Sequence, residues 1–472
     1  MSRIYTTDSA EHLGEKVELC GWIDVRRDHG KLIFFDLRDS LGKIQLVVAP
    51  KPEELRVLAQ KLRPEWVVSV TGEIKERPAD MINSESPTGK IEMKVAEIRI
   101  LAEANTPPFD LSSAGYDIGE DVRMKYRYLD LRRPRLSKNL RERARIIKFI
   151  RDFLTERDFI EIETPILSKS TPEGARDYLV PSRLEQGSFY ALPQSPQQYK
   201  QLLMVAGFEK YFQIARCFRD EDTRGDRQPE FTQLDLEMSF VTKEDVLRLT
   251  EGLFLALARS LYPEKKLTLD PDGKIPRITY KEAMKKYGSD KPDIRNDKNN
   301  PDELAFLFVE DFPAFEWREM EKRWDATHHP FTKPQVENVD EFWKEFKERP
   351  GEMLADQYDF VLNGFEVGGG SIRVHDPELL KAVFEALGNK KEDIKRQFGH
   401  MFEAFRFGVP PHGGIAPGID RLIMILMNEP NIREVIAFPK TGEGRDLMMG
   451  APSEVSEAQL KELGLEIKKD KK

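Results

Sequence analysis

Apolar and polar residues alternate over five short segments in the first part of the chain. Such alternation is typical of β-strands that bury one face, and turn residues separate the segments. The predicted strands cover residues 17–27, 32–39, 43–49, 66–74 and 91–101. A helical segment, residues 52–62, lies between the third and fourth strands. Residues 1–104 are therefore predicted to form a small closed β-barrel.

The alternation stops at residues 105–109, which read NTPPF and predict a linker over 105–135. Helical and strand patterns then mix over residues 136–430, which indicates one large α+β domain. Residues 431–472 are expected to form a C-terminal extension that ends in a lysine-rich stretch. The chain should therefore contain a barrel, a linker, an α+β domain and an extension.

One helix, from about Ser137 to Arg157, is predicted by an apolar stripe of Ile146, Ile150 and Leu154. Residues 121–157 contain 13 Lys or Arg residues against 5 Asp or Glu residues. We expect the stripe to pack on the domain and the basic flank to lie near RNA or a partner subunit.

Composition fits a large globular protein. The 472 residues include 39% hydrophobic and 33% charged residues, with a formal net charge of −9. No apolar run approaches the roughly 18 residues of a membrane span, and the N-terminus lacks a signal-peptide pattern. Cys20 and Cys217 make neither a disulfide framework nor a zinc set. A cytoplasmic location and no membrane partner are therefore expected.

Candidate chemistry is concentrated in residues 217–240. A strand places alternate side chains on one face, and here one face would carry Phe231, Gln233, Asp235 and Glu237. A face with one ring, one amide and two carboxylates suits the floor of a pocket, although a solvated edge hairpin would look the same. Arg219, before the loop, and Arg224 and Arg227, within it, offer planar charged groups suited to phosphate or carboxylate.

This stretch closely resembles motif 2 of class II aminoacyl-tRNA synthetases, in the form found in the aspartyl subgroup. Residues 159–165 (FIEIETP) are similar to motif 1, and residues 413–421 (GGIAPGIDR) are similar to motif 3. The resemblance covers nearly the whole chain. Further blocks similar to the subgroup are residues 171–183, 194–204, 328–332 and 359–373. The resemblance implies an α+β fold, with an N-terminal OB-type barrel and a class II catalytic domain on an antiparallel sheet.

The resemblance also implies ATP as a substrate and an amino-acid carboxylate that attacks its α-phosphate. Arg219, Glu221 and Arg421 are the implied catalytic residues. Arg219 would bridge the α-phosphate and the attacking carboxylate, with Arg421 and Phe231 on the two sides of the adenine. The implied ATP-binding residues are Arg219, Glu221, Arg227, Gln228, Phe231, Glu366 and Arg421.

The charges of the candidate binding residues indicate which amino acid is the substrate. A substrate side-chain carboxylate needs cations, and Lys200 and Arg373 are the candidates, while Asp235 would receive the ammonium group. Glu173 would lie on a lid that closes over the amino acid. The implied aspartate-binding residues are Glu173, Ser195, Gln197, Lys200, Asp235, His329 and Arg373.

Asp359 and Glu366, seven residues apart across a strand and a turn, would supply oxygen ligands to Mg²⁺ on the phosphates. His328 and His329 could also be metal ligands, but no Cys or suitably spaced His completes a site. Packing against the Phe331 loop is the main alternative for His328.

The barrel has its own expected function, because OB-type barrels bind oligonucleotides on one strand face. Phe34 and Phe35 alternate, so one can face the core and the other solvent. The resemblance implies an anticodon site made of Arg27, His29, Phe34, Gln45, Arg77 and Glu92. Enzymes restricted to tRNA(Asp) tend to carry Leu at the position of His29, and His is typical of enzymes that also charge tRNA(Asn).

One departure from the bacterial pattern concerns a large domain that bacterial members insert before the FVxDFPxFEW strand. Residues 286–304 would be a short remnant of it, and because no motif residue falls there, catalysis should survive. Motif 1 and the 137–157 helix imply a homodimer. The resemblance implies an aspartate–tRNA ligase that charges tRNA(Asp) and, from His29, also tRNA(Asn). The alternatives are an enzyme strictly specific for tRNA(Asp), a related asparagine or lysine ligase, and a non-catalytic RNA-binding protein.

Overall fold

The computed structural model describes residues 3–170, 175–223 and 225–468. The chain divides after Ser113 into two units. No helix in the described ranges has the length and apolarity needed to cross a membrane.

The first unit is a closed five-stranded barrel. Its strands are β1 (Lys16–His29), β2 (Leu32–Arg38), β3 (Lys43–Val48), β4 (Val67–Glu76) and β5 (Ile91–Ala102). They close in the order β1-β2-β3-β5-β4, with helix α1 (Glu53–Lys61) following β3. In β2, Ile33, Phe35 and Leu37 are buried in the barrel and Phe34 lies on the outer face. The alternation that predicted the OB-type barrel is therefore confirmed.

A tight turn joins β1 to β2. His29 pairs with Leu32, so that Gly30 and Lys31 alone make the turn. Gly30 has a φ of 60°, a left-handed conformation that glycine adopts without strain. The turn leaves the side chain of His29 exposed on the outside of the barrel.

The second unit is built on a nine-stranded sheet. Its strands and two small hairpins are β6 (Ile160–Glu161), β7 (Leu179–Pro181), β8 (Phe189–Ala191), β9 (Lys210–Phe218), β10 (Glu230–Ser239), β11 (Lys266–Thr268), β12 (Arg277–Thr279), β13 (Glu303–Glu310), β14 (Phe315–Arg318), β15 (Arg323–Ala326), β16 (Gln357–Leu362), β17 (Phe365–Ile372) and β18 (His412–Ile415). The sheet order is β11-β13-β16-β17-β18-β10-β9-β6, with β12 also paired to β13. The central pairs are antiparallel, as expected, and the pairs of β6, β11 and β12 at the edges are parallel.

Eleven helices among the described residues accompany this sheet: α2 (Glu120–Lys125), α3 (Arg127–Asp130), α4 (Pro134–Thr155), α5 (Gln197–Val205), α6 (Lys243–Leu261), α7 (Tyr280–Tyr287), α8 (Val339–Glu348), α9 (Pro377–Ala386), α10 (Lys391–Phe405), α11 (Ile419–Leu426) and α12 (Glu457–Glu462). Helix α4 begins at Pro134, three residues before the expected start, because proline fits the first turn of a helix. Its apolar stripe is buried as predicted.

Helices α4, α6 and α11 bury one face of the central sheet. Ile150, Phe254 and Leu422 share a hydrophobic core with Leu234 and Leu236 of β10. The alternate side chains of β10 point away from this core and are also buried, although they are polar. They are Gln233, Asp235 and Glu237. Strand β10 therefore separates an apolar interior from a polar one.

The segment 105–135 is not the simple linker that its composition predicts, because its later part folds into the second unit. The buried carboxylate of Asp130 accepts hydrogen bonds from Arg123 and Arg127. Arg123 also forms a two-point ion pair with Glu434, at 3.0 and 2.7 Å. Arg127 donates to three backbone carbonyl oxygens of the C-terminal extension. At these positions the basic flank expected near RNA is an internal ion network.

The short remnant expected at residues 286–304 is an ordered connection between α7 and β13. Glu303 is 1% exposed. Its carboxylate accepts hydrogen bonds from the backbone N–H groups of Asn296 and Asp297 and from the hydroxyl of Thr268. These bonds, with that of Thr268 contributing most, lower the pKa of Glu303 to about 2. A buried charge thus organises this short connection between α7 and β13.

Candidate active site

A cavity of about 350 Å³ lies over the polar face of the central sheet. Almost every predicted catalytic, ATP-binding and aspartate-binding residue lines it. These are Ser195, Gln197, Lys200, Arg219, Glu221, Arg227, Gln228, Phe231, Asp235, His329, Glu366, Arg373 and Arg421. Glu173, the predicted lid residue, lies outside the described residues. Residues from distant parts of the chain therefore meet where the resemblance placed them.

The innermost end of the cavity holds a network of four buried charges. Lys200 reaches from α5 to Asp235 on β10, with Nζ 3.0 Å from Oδ2. Arg373, directly after β17, forms a two-point ion pair with Glu237, from Nε to Oε1 at 2.9 Å and from Nη2 to Oε2 at 3.0 Å. Lys200 Nζ also lies 3.3 Å from Glu237 Oε2. Sequence reasoning placed Glu237 on the right face but gave it no role.

The two carboxylates of this network respond differently to their surroundings. Burial raises the pKa of Asp235, and the positive charge of Lys200 only partly opposes this effect. Burial also acts to raise the pKa of Glu237, but Arg373 and Lys200 outweigh it and hold that pKa at about 2. The two cations therefore favour the charged form of Glu237. Oδ1 of Asp235 has no hydrogen-bond partner among the described residues.

Both neighbouring histidines belong to the cavity wall. His329 Nε2 lies 3.1 Å from Nη1 of Arg373. Burial, assisted by the charge of Arg373, lowers the pKa of His329 well below its usual value. His328 packs edge-on against Phe312, whereas its packing interpretation named the Phe331 loop, and it also lines the cavity. The buried Nε2 of His328 has no hydrogen-bond partner among the described residues. This atom could therefore form a hydrogen bond with a ligand.

The outer end of the cavity is lined by arginines whose partners are only partly buried. The guanidinium of Arg219 lies 5.1 Å from the ring centre of Phe231. Arg227 pairs with Glu221 at 3.2 Å. Arg421 pairs with Asp226, which sequence reasoning did not single out, at 3.0 Å.

Gln228 lines the cavity, but both ends of its side-chain amide are hydrogen-bonded to the backbone of Lys440. Its Oε1 accepts from the backbone N–H of Lys440 at 2.7 Å, and its Nε2 donates to the carbonyl oxygen of the same residue at 3.1 Å. The predicted ATP residue therefore also anchors the C-terminal extension to the motif 2 strand.

Two carboxylates lie together on the hairpin of β16 and β17. Glu366 reaches the cavity, whereas Asp359 is buried behind the wall and accepts a hydrogen bond from Gln357 at 3.0 Å. Burial, with the nearby charge of Glu366, raises the pKa of Asp359 well above its usual value. A cation that reached both side chains would favour the charged form of Asp359.

The glycines after Glu366 permit a close approach of two chain segments. A side chain at Gly368 would place its Cβ 2.5 Å from Cα of Pro417, in the turn that leads into α11. Only glycine fits this contact. The turn before Arg421 can therefore lie against β17.

The predicted anticodon residues form a connected row on the outside of the barrel. Arg27 forms a two-point ion pair with Asp36, at 2.9 and 2.7 Å. Gln45 donates to Glu92 at 2.8 Å. The remaining members are Phe34, His29 and Arg77. Phe34 pairs with Arg27 and His29 with Leu32 across β1 and β2, and Arg77 donates to the backbone of β5.

An antiparallel sheet with a charged cavity, in one chain with an OB-type barrel, is the architecture of a class II tRNA synthetase. The chain belongs to this family. Residues 119–442 match the tRNA synthetases class II (D, K and N), and residues 17–101 match the OB-fold nucleic acid binding domain. Membership of the family makes ATP and tRNA its substrates.

Similar proteins cover almost the whole chain. An aspartate–tRNA(Asp/Asn) ligase of Rubrobacter xylanophilus is 42% identical over 581 residues, with 97% of this chain and 95% of the relative covered. An aspartate–tRNA ligase of Staphylococcus haemolyticus is 40% identical over 583 residues, with 97% and 98% covered. Since these alignments exceed 472 residues, the relatives carry residues that this chain lacks.

A solved structure shows the same fold. Asparaginyl-tRNA synthetase from Pyrococcus horikoshii, complexed with asparaginyl-adenylate, superimposes with a TM-score of 0.73 at 24% identity. The match covers 93% of this chain and 98% of that one.

The burial of Asp359 predicts a pH-dependent stability that Asp359→Asn should remove. A carboxyl group whose pKa is raised on folding stabilises the protein at low pH and loses that contribution as pH rises towards the folded-state pKa. In a metal-free buffer the variant should become more stable than wild type between pH 5 and pH 7, by at least about 1 kcal/mol. Urea unfolding at several pH values measures this.

The control for this experiment is Asp272→Asn, which removes an exposed carboxylate. A stability difference between wild type and Asp359→Asn that stays constant with pH would contradict the argument.

Proposed function

We propose that this chain is an aspartate–tRNA ligase. It would join L-aspartate to ATP as aspartyl-adenylate and then transfer the aspartyl group to the 3′-terminal adenosine of tRNA(Asp). The observation that carries the proposal is the pair of cations, Lys200 and Arg373, at the buried end of the cavity. The names of the similar proteins support it. The reaction belongs to protein synthesis and would take place in the cytoplasm.

The buried end of the cavity suits aspartate. Its side-chain carboxylate would lie against Lys200 and Arg373, and its ammonium group would meet the unpartnered Oδ1 of Asp235. Ser195 and Gln197 line the same end and would add hydrogen bonds. Asparagine brings no side-chain charge, so with Asp235 taken up by the ammonium group one buried cation would stay unpaired, which costs about 3–5 kcal/mol. Lysine would add a third cation.

The outer end of the cavity suits ATP. Adenine would lie between Phe231 and Arg421, and Arg219 would hold the α-phosphate beside the aspartate α-carboxylate. An oxygen of this carboxylate attacks the α-phosphorus, and the bond to the β-phosphate oxygen breaks. The electron pair leaves with pyrophosphate. Glu221 and Arg227 line the path of the leaving group.

Mg²⁺ would be held by Glu366 and Asp359. Two carboxylates with substrate phosphates make a common oxygen set for this ion. The raised pKa of Asp359 agrees with a carboxyl group that would ionise when a cation binds beside it. When bound, the ion neutralises phosphate charge.

Amino-acid-dependent exchange of pyrophosphate into ATP tests the proposed substrate. Aspartate should support exchange, and asparagine should be at least about 100-fold less efficient because of the unpaired charge. Lysine should give none. Arg219→Ala should abolish exchange while tRNA binding persists, since the barrel is unchanged. Exchange with asparagine at a similar efficiency would contradict the specificity.

We further propose that the enzyme charges tRNA(Asn) as well as tRNA(Asp). The two anticodons differ at their third base, C or U, and the exposed imidazole of His29 can donate or accept a hydrogen bond. One of the similar proteins is named for both tRNAs. His29→Leu should reduce kcat/KM for tRNA(Asn) much more than for tRNA(Asp). A wild-type preference of about a thousandfold for tRNA(Asp) would refute the idea.

A homodimer would complete the edge of the sheet beside β6. Ile160, Ile166 and Leu167 of this motif 1 region are 49%, 47% and 55% exposed. Burial of such residues against a second copy would remove apolar surface from water. Light scattering at micromolar concentration should give twice the chain mass of 54.6 kDa. Ile160→Asp should shift the mass towards the monomer, and a wild-type monomer would contradict the proposal.

A further inference from the structure

Glu237 belongs to the charge network but does not line the cavity, whereas Lys200, Asp235 and Arg373 do. Its side chain is fully buried, at 0% exposed. It pairs across the sheet with Gly414 of β18. A Cβ at Gly414 would lie 2.0 Å from the carbonyl oxygen of Leu236 and 2.4 Å from Glu237 Oε2, so that the backbone of β10 and the carboxylate both exclude a side chain there. The Glu237 carboxylate therefore lies directly against the backbone of β18.

One oxygen of Glu237 joins the two cations. Its Oε2 lies 3.0 Å from Nη2 of Arg373 and 3.3 Å from Nζ of Lys200. Both nitrogens must therefore lie close to one point. Removal of this oxygen would leave two positive groups that repel each other at short range.

A count of donors shows what remains for a ligand. An arginine has five N–H donors and a lysine has three. Arg373 gives two donors to Glu237, and its Nη1 faces Ser371 at 2.6 Å and His329 at 3.1 Å. Lys200 directs two donors to Asp235 and Glu237. Among the described residues this leaves one N–H on Arg373 Nη2 and one on Lys200 Nζ.

We propose that Glu237 is a positioning residue that sets the spacing of these two donors to match the two oxygens of a substrate side-chain carboxylate. The inference rests on the proposed function, because it takes aspartate as the ligand. The presence of Glu237 also determines the net charge that a ligand must bring to this subsite. With Asp235 taken up by the substrate ammonium group, the two cations and Glu237 require one more negative charge, which the side-chain carboxylate supplies and an amide does not.

Glu237→Gln is the test, because the amide keeps the shape but loses the charge and turns an N–H towards the cations. Binding of two probes is measured, aspartyl-sulfamoyl-adenosine and alanyl-sulfamoyl-adenosine, which differ only in the side-chain carboxylate. The variant should lose about 100-fold in affinity for the aspartyl probe. Its affinity for the alanyl probe should stay within about threefold of wild type, because that probe does not use the two donors.

Two further variants complete the design. Glu244→Gln is the matched control, since Glu244 forms a two-point ion pair with Arg277 at the surface, away from the cavity. It should leave both affinities unchanged. Glu237→Asp keeps the charge but withdraws the carboxylate, and it should lower the preference for the aspartyl probe less than Glu237→Gln does. If Glu237→Gln does not fold, this variant carries the test.

The outcomes separate the inference from the function on which it rests. A wild-type protein that does not prefer the aspartyl probe would overturn the proposed function. A wild type that prefers it, with Glu237 variants that keep the preference, would overturn the role of Glu237 alone. An equal loss for both probes would also overturn it, since Glu237 would then support the cavity as a whole.

Discussion

Two cations and two carboxylates share the floor of the cavity with almost no contact with solvent. Removal of an ion from water costs several kcal/mol, so that Lys200 and Arg373 can stay charged there only because Asp235 and Glu237 lie within hydrogen-bond distance. The need to pair these buried charges also constrains the strands that carry them and their neighbours. Strand β10 must bury a polar face as well as an apolar one, and β18 carries Gly414 opposite Glu237, where the carbonyl oxygen of Leu236 also excludes a side chain. The pocket and the core are therefore two sides of one strand.

The parts of this arrangement that depend on strand periodicity could be predicted from the sequence. Alternation alone assigns Asp235 and Glu237 to the same face and separates Phe34 from Phe35 in the barrel. Periodicity does not reveal partners in space. The role of Glu237 depends on Arg373, which lies more than a hundred residues away along the chain, and a basic run looks the same whether its charges meet RNA or Glu434.

Asp420 is another residue whose partners in space cannot be predicted from the sequence. Its carboxylate accepts from the backbone N–H of Thr232 at 2.7 Å and pairs with Arg143 of α4 at 2.5 Å. One side chain thus ties together the motif 2 strand, the motif 3 helix and the helix that precedes motif 1. The sequence contains Asp420 beside Arg421 in motif 3, but only the folded chain shows that it fixes the start of α11. The position of Arg421 depends on this tie.

The two ends of the cavity differ in how firmly their charges are held. At the outer end, Arg421 and Arg227 pair with Asp226 and Glu221 of the motif 2 loop, and these side chains are 21–46% exposed. Partly exposed ion pairs contribute little to stability, so that phosphate groups can replace the loop carboxylates at small cost. At the inner end the pairs are buried, and removal of one partner would be expensive. With the proposed function, amino-acid selection would rest on a fixed network, whereas the nucleotide site would be completed by exchange of ion pairs.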